Sequence, residues 1–179
     1  LSPTCSKTGA IKLKILGFDS QYTEVASPVC EIYGFHWKSV AIPEREGDEK
    51  DPKYLSVYVS CNDGYVSNLW ECKAKITLRL ISQKRGIKDF VIEKSTTFGA
   101  KQNECEFLKF IERDYIKNPD NGYICRDEVT IETCITVEEV KGVRPYLALN
   151  FLEKSENSDY VLKVGGKELY INKELKQDF

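Results

Sequence analysis

The 179-residue sequence has no methionine, one histidine and no long apolar run, and each of these absences narrows its possible roles. A membrane-spanning helix needs about 18 or more consecutive apolar residues, which no segment supplies. The opening residues LSPTCSKTGA also lack the apolar core of a secretory signal, so we expect an intracellular chain, in the cytoplasm or the nucleus. Because the sequence starts at Leu1 and contains no methionine, we expect a segment of a longer protein.

The sequence also lacks an excess of charge of either sign. Its 26 Lys and Arg residues are scattered among 28 Asp and Glu residues, which gives a net charge of -2. Phosphate backbones and anionic membrane surfaces are recognised by clustered cations, so nucleic acid and membranes are not expected partners. With 179 residues, of which 41% are hydrophobic, the chain is long enough and apolar enough to bury a core of its own without metals or disulfides.

Signatures of catalysis and of cofactor binding are equally scarce. The chain holds no G-x-S-x-G, no P-loop and no G-x-G-x-x-G. The single histidine, His36, stands beside Trp37 in a predicted strand, and one imidazole cannot supply the paired ligands of most zinc hydrolase motifs. We therefore predict no enzymatic activity, no catalytic residues, no metal and no cofactor.

The cysteines are odd in number and show no C-x-x-C spacing. We expect reduced thiols that act as small hydrophobic residues in strands, because an intracellular chain of this length needs no disulfide framework. Cys61 and Cys72 flank a predicted hairpin and could approach each other, although the intracellular interpretation argues against a bridge. The seven are Cys5, Cys30, Cys61, Cys72, Cys105, Cys125 and Cys134.

Two-residue alternation of apolar and polar residues dominates the chain and predicts strands with one buried face. The segments IKLKIL, YLSVYV and VTIETCITV show it most clearly, and in the second of them Tyr58 falls on the polar face. Turn-rich breaks separate these runs, so the pattern predicts an all-β antiparallel sandwich. The tryptophans assigned to its core are Trp37 and Trp70.

One segment departs from the strand pattern. In EFLKFIERDYI, the residues Phe107, Phe110, Ile111 and Tyr115 recur at three- and four-residue steps. This spacing predicts one short helix in an otherwise all-strand domain.

The character of the sequence changes after Pro145, where the polar stretch from Glu153 to Asp159 indicates a linker. In the following YVLKVGGKELYINKEL, Gly165 and Gly166 lie between two alternating runs, as a two-residue hairpin turn with positive φ requires. We predict a first domain over residues 1–145, a linker over 146–158 and the start of a second domain over 159–179.

Four blocks of the sequence, listed below in chain order, resemble the MATH domain, also called the TRAF-like or meprin-and-TRAF-homology domain. The resemblance covers about residues 9–140. It implies an eight-stranded antiparallel sandwich, in agreement with the alternation. The blocks are YGFHWKSVAIPE, YLSVYVSC, LWECKAKITLRLIS and EFLKFIERDYIKNPDNGYICRDEVTIETCITVE, of which the last is the most specific.

Residues 158–175, SDYVLKVGGKELYINKEL, resemble the opening hairpin of a BTB domain. The order MATH then BTB is that of substrate adaptors of cullin-RING ubiquitin ligases, in which MATH holds the substrate while BTB dimerises and docks the cullin scaffold. The resemblance therefore implies a non-catalytic module that recruits a substrate protein for ubiquitination. About 20 residues of BTB can perform neither task, so we expect the cullin and BTB self-association as partners only if a complete BTB domain follows.

In such adaptors an extended peptide lies in a shallow groove lined by aromatic residues, held by backbone hydrogen bonds and side-chain pockets. Carrying this pattern over implies a peptide site along the segment from Lys101 to Leu108 and the surface near Tyr58. Aromatic rings bury about 150 to 250 Å² each, so where this chain lacks them the usual Ser/Thr-rich degron need not bind. A core position is the alternative for Phe107 and Ile76. The expected peptide-binding residues are Tyr58 and Phe107, which match groove aromatics; Ile76, Thr96 and Cys105, which replace larger rings; and Glu104.

Two other classes of MATH-containing protein stay open. A receptor-tail adaptor of the TRAF type shares the sandwich but trimerises through a preceding coiled coil, and no heptads precede residue 9. The substrate-binding domain of a ubiquitin-specific protease would require a catalytic cysteine domain downstream, whereas the hairpin points to BTB.

Overall fold

The computed structural model of the chain describes residues 6–43, 52–62, 69–142, 160–164 and 167–171. The chain divides into two compact units, Leu1–Pro145 and Tyr146–Phe179. The predicted linker lies outside the described residues, so the three-part division stays a prediction. Across the described ranges, no helix is long and apolar enough to cross a membrane.

The first unit consists of two packed antiparallel sheets. One sheet has the strand order β1-β9-β6-β7, and in the other β4 and β5 lead to β8, with β2 and β3 both paired to β4. Because β2 and β3 pair with the same strand, they act as one interrupted strand, and the predicted eight-stranded sandwich is confirmed. In chain order the strands are β1 (Thr8–Leu16), β2 (Val25–Ala26), β3 (Cys30–Ile32), β4 (Phe35–Ile42), β5 (Tyr54–Cys61), β6 (Trp70–Leu80), β7 (Phe90–Gly99), β8 (Glu104–Glu112) and β9 (Glu128–Gly142).

The core between the sheets is filled by alternate residues of the strands. The predicted inward row of β9, every second residue from Val129 to Val137, is buried throughout. Trp37 and Trp70 are also buried, as predicted. Burying each large apolar side chain contributes roughly 1.5–3 kcal/mol, so this alternation is the main source of the sandwich's stability. Two polar members of this core satisfy each other, since the Ser39 and Thr133 hydroxyls lie 3.0 Å apart.

The segment predicted as a helix is a strand over most of its length, and the helix α1 covers only Arg113–Lys117. A β-bulge is the reason for this error. Between the two pairs that β8 makes through Phe107 and Ile111, three residues of β8 face Ser56 alone in β5. The bulge buries Phe107 and Phe110 at a spacing of three, which imitates a helical period in the sequence.

The second unit contains the predicted hairpin. Its strands are β10 (Tyr160–Val164) and β11 (Lys167–Ile171), which pair antiparallel. Val164 pairs directly with Lys167, so two residues connect the strands. Those two, Gly165 and Gly166, lie outside the described residues.

The six cysteines within the described residues are free thiols, while Cys5 lies outside them. Cys61 in β5 and Cys72 in β6 belong to different sheets and meet in the core, where a hydrogen bond joins their side chains. Their predicted approach is confirmed, but the predicted hairpin between them is wrong, because β5 and β6 lie in different sheets. Burial, together with this hydrogen bond, raises the pKa of Cys61, which keeps the thiol protonated.

Candidate functional site

The two sheets present edge strands to the surface where the chain passes from β7 to β8. Among the described strands, β7 pairs only with β6 and β8 only with β5. A tight turn connects them: the Gly99 N–H donates to the Gln102 carbonyl at 2.9 Å, and the Gln102 N–H donates back at 3.1 Å. An edge strand is a template for a further strand. We call the unpaired side of β8, from Glu104 to Leu108, the β8 edge.

The unpaired backbone groups of the β8 edge belong to Glu104 and Glu106. The Cys61 N–H donates to the Asn103 carbonyl at 2.8 Å, so Asn103 faces β5. In an antiparallel pair the hydrogen-bonding direction alternates, and every second residue after Asn103 also faces β5. The intervening Glu104 and Glu106 therefore direct their N–H and C=O groups away from the sheet.

Lys94 of β7 reaches across to this edge. Its Nζ lies 3.5 Å from the Glu106 carbonyl oxygen and 5.9 Å from the centre of the Phe107 ring. A separation of 3.5 Å is at the outer limit of a hydrogen bond, so the contact with the carbonyl is weak. Within the described part of the chain, Lys94 forms no ion pair.

Lys94 belongs to the row of alternate residues of β7 whose side chains face the core. It pairs with Ile76 of β6, which is fully buried. Directly paired residues of antiparallel strands share a face, so the Lys94 side chain leaves β7 on the core side. An inward-pointing charge on an edge strand opposes uncontrolled pairing with other chains. The other members of this row are Phe90, Ile92, Thr96 and Phe98.

A surface depression of about 480 Å³ follows the start of β8. It carries both signs of charge, because Lys94 and Lys101 line it together with Glu104 and Glu106. Its other lining residues are Gln102, Asn103, Cys105 and Leu108. The depression therefore offers charged side chains and free backbone groups to the same ligand.

Three of the six predicted peptide-binding residues are largely closed to solvent. Ile76 is 0% exposed, Cys105 2% and Phe107 8%. Ile76 lies in β6, which has strands on both sides, so its predicted contact with a peptide is wrong and its place in the core is confirmed. Cys105 and Phe107 pair with buried residues of β5 and point inward with them, so their side chains form no exposed wall. Cys105 nevertheless lines the depression, and peptide contacts by these two residues stay predictions.

The remaining three residues are accessible but do not share one face. Tyr58 is half-buried and pairs with Glu106, so both lie on the outer face of their sheet, as does Glu104. Thr96 is half-buried on the core side of β7, two residues from Lys94. Tyr58 therefore lies on the face opposite Phe107, and the two rings do not form one wall. Peptide contacts by Tyr58, Thr96 and Glu104 stay predictions.

Sequence reasoning missed Lys94 and the backbone of Glu106. A signal for Lys94 is present in FVIEKSTTF, where every second residue reads Phe, Ile, Lys, Thr, Phe. The charged member of this inward row indicates that β7 is an edge strand. The role of Glu106 depends on sheet order, which no local pattern reports.

Cys105 lies within the β8 edge, and its thiol is buried. Burial raises the pKa of the Cys105 thiol, the Lys94 charge partly opposes this, and the Glu106 charge adds to it. A thiol held protonated is a weak nucleophile. In the ranges the structure describes, no group of three or more His, Cys, Asp or Glu side chains is arranged to hold a metal ion.

The sandwich and its exposed β8 edge are those of a protein-interaction module, and comparison with known proteins gives its family. Residues 11–135 match the family model of the MATH domain, so the chain belongs to that family, as predicted. It is similar to BTB and MATH domain-containing protein 38 of Caenorhabditis elegans, with 30% identity over 173 residues that cover 96% of this chain and 44% of that protein.

Ubiquitin carboxyl-terminal hydrolase 7 of Drosophila melanogaster is 24% identical over 148 residues, covering 82% of this chain and 12% of that protein. The chain thus spans less than half the length of either curated relative. Among solved structures, TRAF5 from Notothenia coriiceps aligns with a TM-score of 0.44 and 16% identity over 73% of each chain.

Proposed function

We propose that the chain binds an extended peptide of a substrate protein along the β8 edge, as the substrate-recruiting part of a cullin-RING ubiquitin ligase adaptor. The observation that carries this proposal is the backbone of Glu104 and Glu106, which pairs with no described strand and is bordered by a depression of about 480 Å³. A peptide strand added there gains main-chain hydrogen bonds from its backbone and selectivity from alternate side chains. The substrate is held and not transformed, so we assign the chain no catalytic role.

The adaptor role is supported by similarity along nearly the whole chain. The relative from Caenorhabditis elegans carries BTB and MATH domains in its name, and its similarity covers 96% of this chain. The hairpin of β10 and β11 has the two-residue connection that the BTB resemblance implies. In this account a complete BTB domain of the parent protein supplies self-association and the cullin contact.

The binding mode is tested by removing one backbone donor from the β8 edge. Glu104 is the first residue of β8, a position where proline is tolerated, and its N–H points away from β5. We expect Glu104→Pro to weaken binding of a peptide selected from a displayed random library by about fivefold. Glu104→Ala removes the same carboxylate but keeps the N–H, and should therefore bind clearly more tightly than Glu104→Pro. Equal affinities of the two variants, measured by fluorescence polarisation, would contradict strand addition.

A second candidate function is the substrate-binding domain of a ubiquitin-specific protease. The similarity to Ubiquitin carboxyl-terminal hydrolase 7, over 82% of this chain, favours it. Sequencing the parent transcript beyond residue 179 distinguishes the two candidate functions. An adaptor would continue into a BTB domain, and a protease into a catalytic cysteine domain. A TRAF-type adaptor would instead sediment as a trimer.

A further inference from the structure

We propose that Lys94 makes the β8 edge selective for extended peptides in which an acidic side chain directly neighbours a basic one. This inference rests on the proposed function, because it names the class of peptide that the β8 edge takes. Three observations carry it: the inward position of Lys94, its contact with the Glu106 carbonyl, and the placement of the glutamates on the other face of β8.

Lys94 is the one charged residue in the inward row of β7, and its side chain is exposed at the edge of the sheet. Its neighbours in the inward row of β7 are Ile92 and Thr96, both half-buried, and its partner Ile76 is fully buried. The ammonium leaves this row over the Phe107 ring at 5.9 Å, near the outer limit of a cation–π contact. Because the Lys94 side chain is exposed, its charge is available to a ligand that occupies the β8 edge.

Lys94 also occupies an acceptor that a peptide strand needs. The Glu106 carbonyl points away from β5 and receives Nζ at 3.5 Å. A peptide N–H must take the place of the ammonium, which then requires a new partner. A carboxylate on the core side of the added strand supplies one, because a charge-assisted hydrogen bond is about twice as strong as a neutral one. Neutral peptides leave the displaced ammonium without such a bond.

The other face of β8 sets the opposite requirement. Successive residues of the added strand point to opposite faces, so the residue beside the acidic one meets the outer face. There the Glu106 carboxylate lies next to Tyr58, and Glu104 follows two residues away on the same side. Opposite charges across paired strands stabilise the pair and like charges destabilise it. A basic side chain is therefore favoured directly before or after the acidic one.

The proposal is tested with a displayed library of random decapeptides, selected on the full 179-residue chain. We expect wild-type chain to enrich peptides with adjacent acidic and basic residues. The Lys94→Glu chain should enrich peptides with a basic residue at the formerly acidic position. Lys88→Glu is the matched control, because it makes the same charge change at an exposed lysine that does not line the depression, and it should keep the wild-type consensus.

Individual peptides then give the size of the effect. Lys94→Glu should weaken binding of the wild-type consensus peptide by about fivefold and strengthen binding of its charge-swapped form by a similar factor. A wild-type consensus without charged residues, or a consensus unchanged by Lys94→Glu, would overturn the selectivity proposal while leaving peptide binding in place. If wild-type chain enriches no peptide at all, the proposed function fails together with it.

Discussion

The ammonium of Lys94 in β7 lies 3.5 Å from the carbonyl oxygen of Glu106 in β8, and this contact links the edges of the two sheets. It places a weak donor at the position that the N–H of an added strand would take. A bound peptide therefore replaces the Lys94 ammonium by its own N–H as the donor to the Glu106 carbonyl. The free energy of binding then depends on which group pairs with the displaced ammonium. The same contact explains how an exposed edge avoids indiscriminate pairing in the absence of a partner.

The main role of the Phe107 side chain is expected to be stabilisation of the core. Its side chain is 8% exposed and packs in the core, so Phe107→Ala should lower the free energy of unfolding by about 3 kcal/mol. Leu108→Ala, at the neighbouring position with 39% exposure, should cost less than about 1 kcal/mol. Urea denaturation measures both, and similar losses would show that Phe107 is not a core residue.

Gly142 at the end of β9 should tolerate no side chain. Its φ is +72°, and a Cβ there would collide with the carbonyl of Leu69, so Gly142→Ala should cost about 2 kcal/mol or more. Gly86 has a φ of +89° with open space around it, so Gly86→Ala carries only the conformational cost of about 1 kcal/mol. Equal losses in thermal or urea unfolding would contradict the collision.

Asp89 should make stability sensitive to acid. Its carboxylate accepts from the Ser82 N–H at 2.9 Å and pairs with Arg79 at 2.5 Å, and these contacts lower the pKa of Asp89. Because the folded-state pKa lies below the unfolded value of about 3.9, this stabilisation is present above about pH 4 and is lost as the pH falls through the folded value.

Asp89→Asn should therefore lower the free energy of unfolding at pH 7 by about 1 kcal/mol, given the partial exposure of the pair, and the difference from wild type should narrow below pH 4. Asp120→Asn is the control, since Asp120 is exposed and forms no ion pair with any residue the structure describes. Urea denaturation as a function of pH measures both variants. A difference that stays constant down to pH 2 would exclude the titration of Asp89 as its cause.

The thiols should differ widely in reactivity. Cys125 is exposed, whereas Cys61 is buried against Cys72 and its pKa is raised by burial. Iodoacetamide at pH 8, followed by peptide mapping, should label Cys125 at least about tenfold faster than Cys61. Chain unfolded in urea should label both at similar rates. Equal rates in the folded chain would show that Cys61 is accessible.

The sandwich could be predicted because its strands obey the simplest periodicity. Every second residue from Ile11 to Ile15 in β1 and from Val129 to Val137 in β9 is buried, and all of them except Thr133 are apolar, which local alternation reports without knowledge of the partner strand. The helix prediction around Phe107 and Phe110 failed because a bulge shifts the inward positions of β8 by one residue. Bulges are set by the pairing of two strands, so a single strand's sequence does not reveal them.

The site was harder to predict for a related reason. The resemblance located the segment from Lys101 to Leu108, which does line the depression. It also placed Tyr58 and Phe107 together, although paired strands put them on opposite faces. Which strand is an edge, and which backbone groups are left unpaired, follows from sheet order. The inward lysine of β7 was the one sequence feature that carried this information.

The central claim, strand addition at the β8 edge, is tested most directly by amide hydrogen exchange of the full chain with and without a library-selected peptide. We predict that the N–H groups of Glu104 and Glu106 exchange rapidly in the free chain and become protected when the peptide is bound. The amides that already face β5, such as those of Cys105 and Phe107, should be protected in both states. Protection that appears elsewhere while Glu104 and Glu106 continue to exchange would contradict the account.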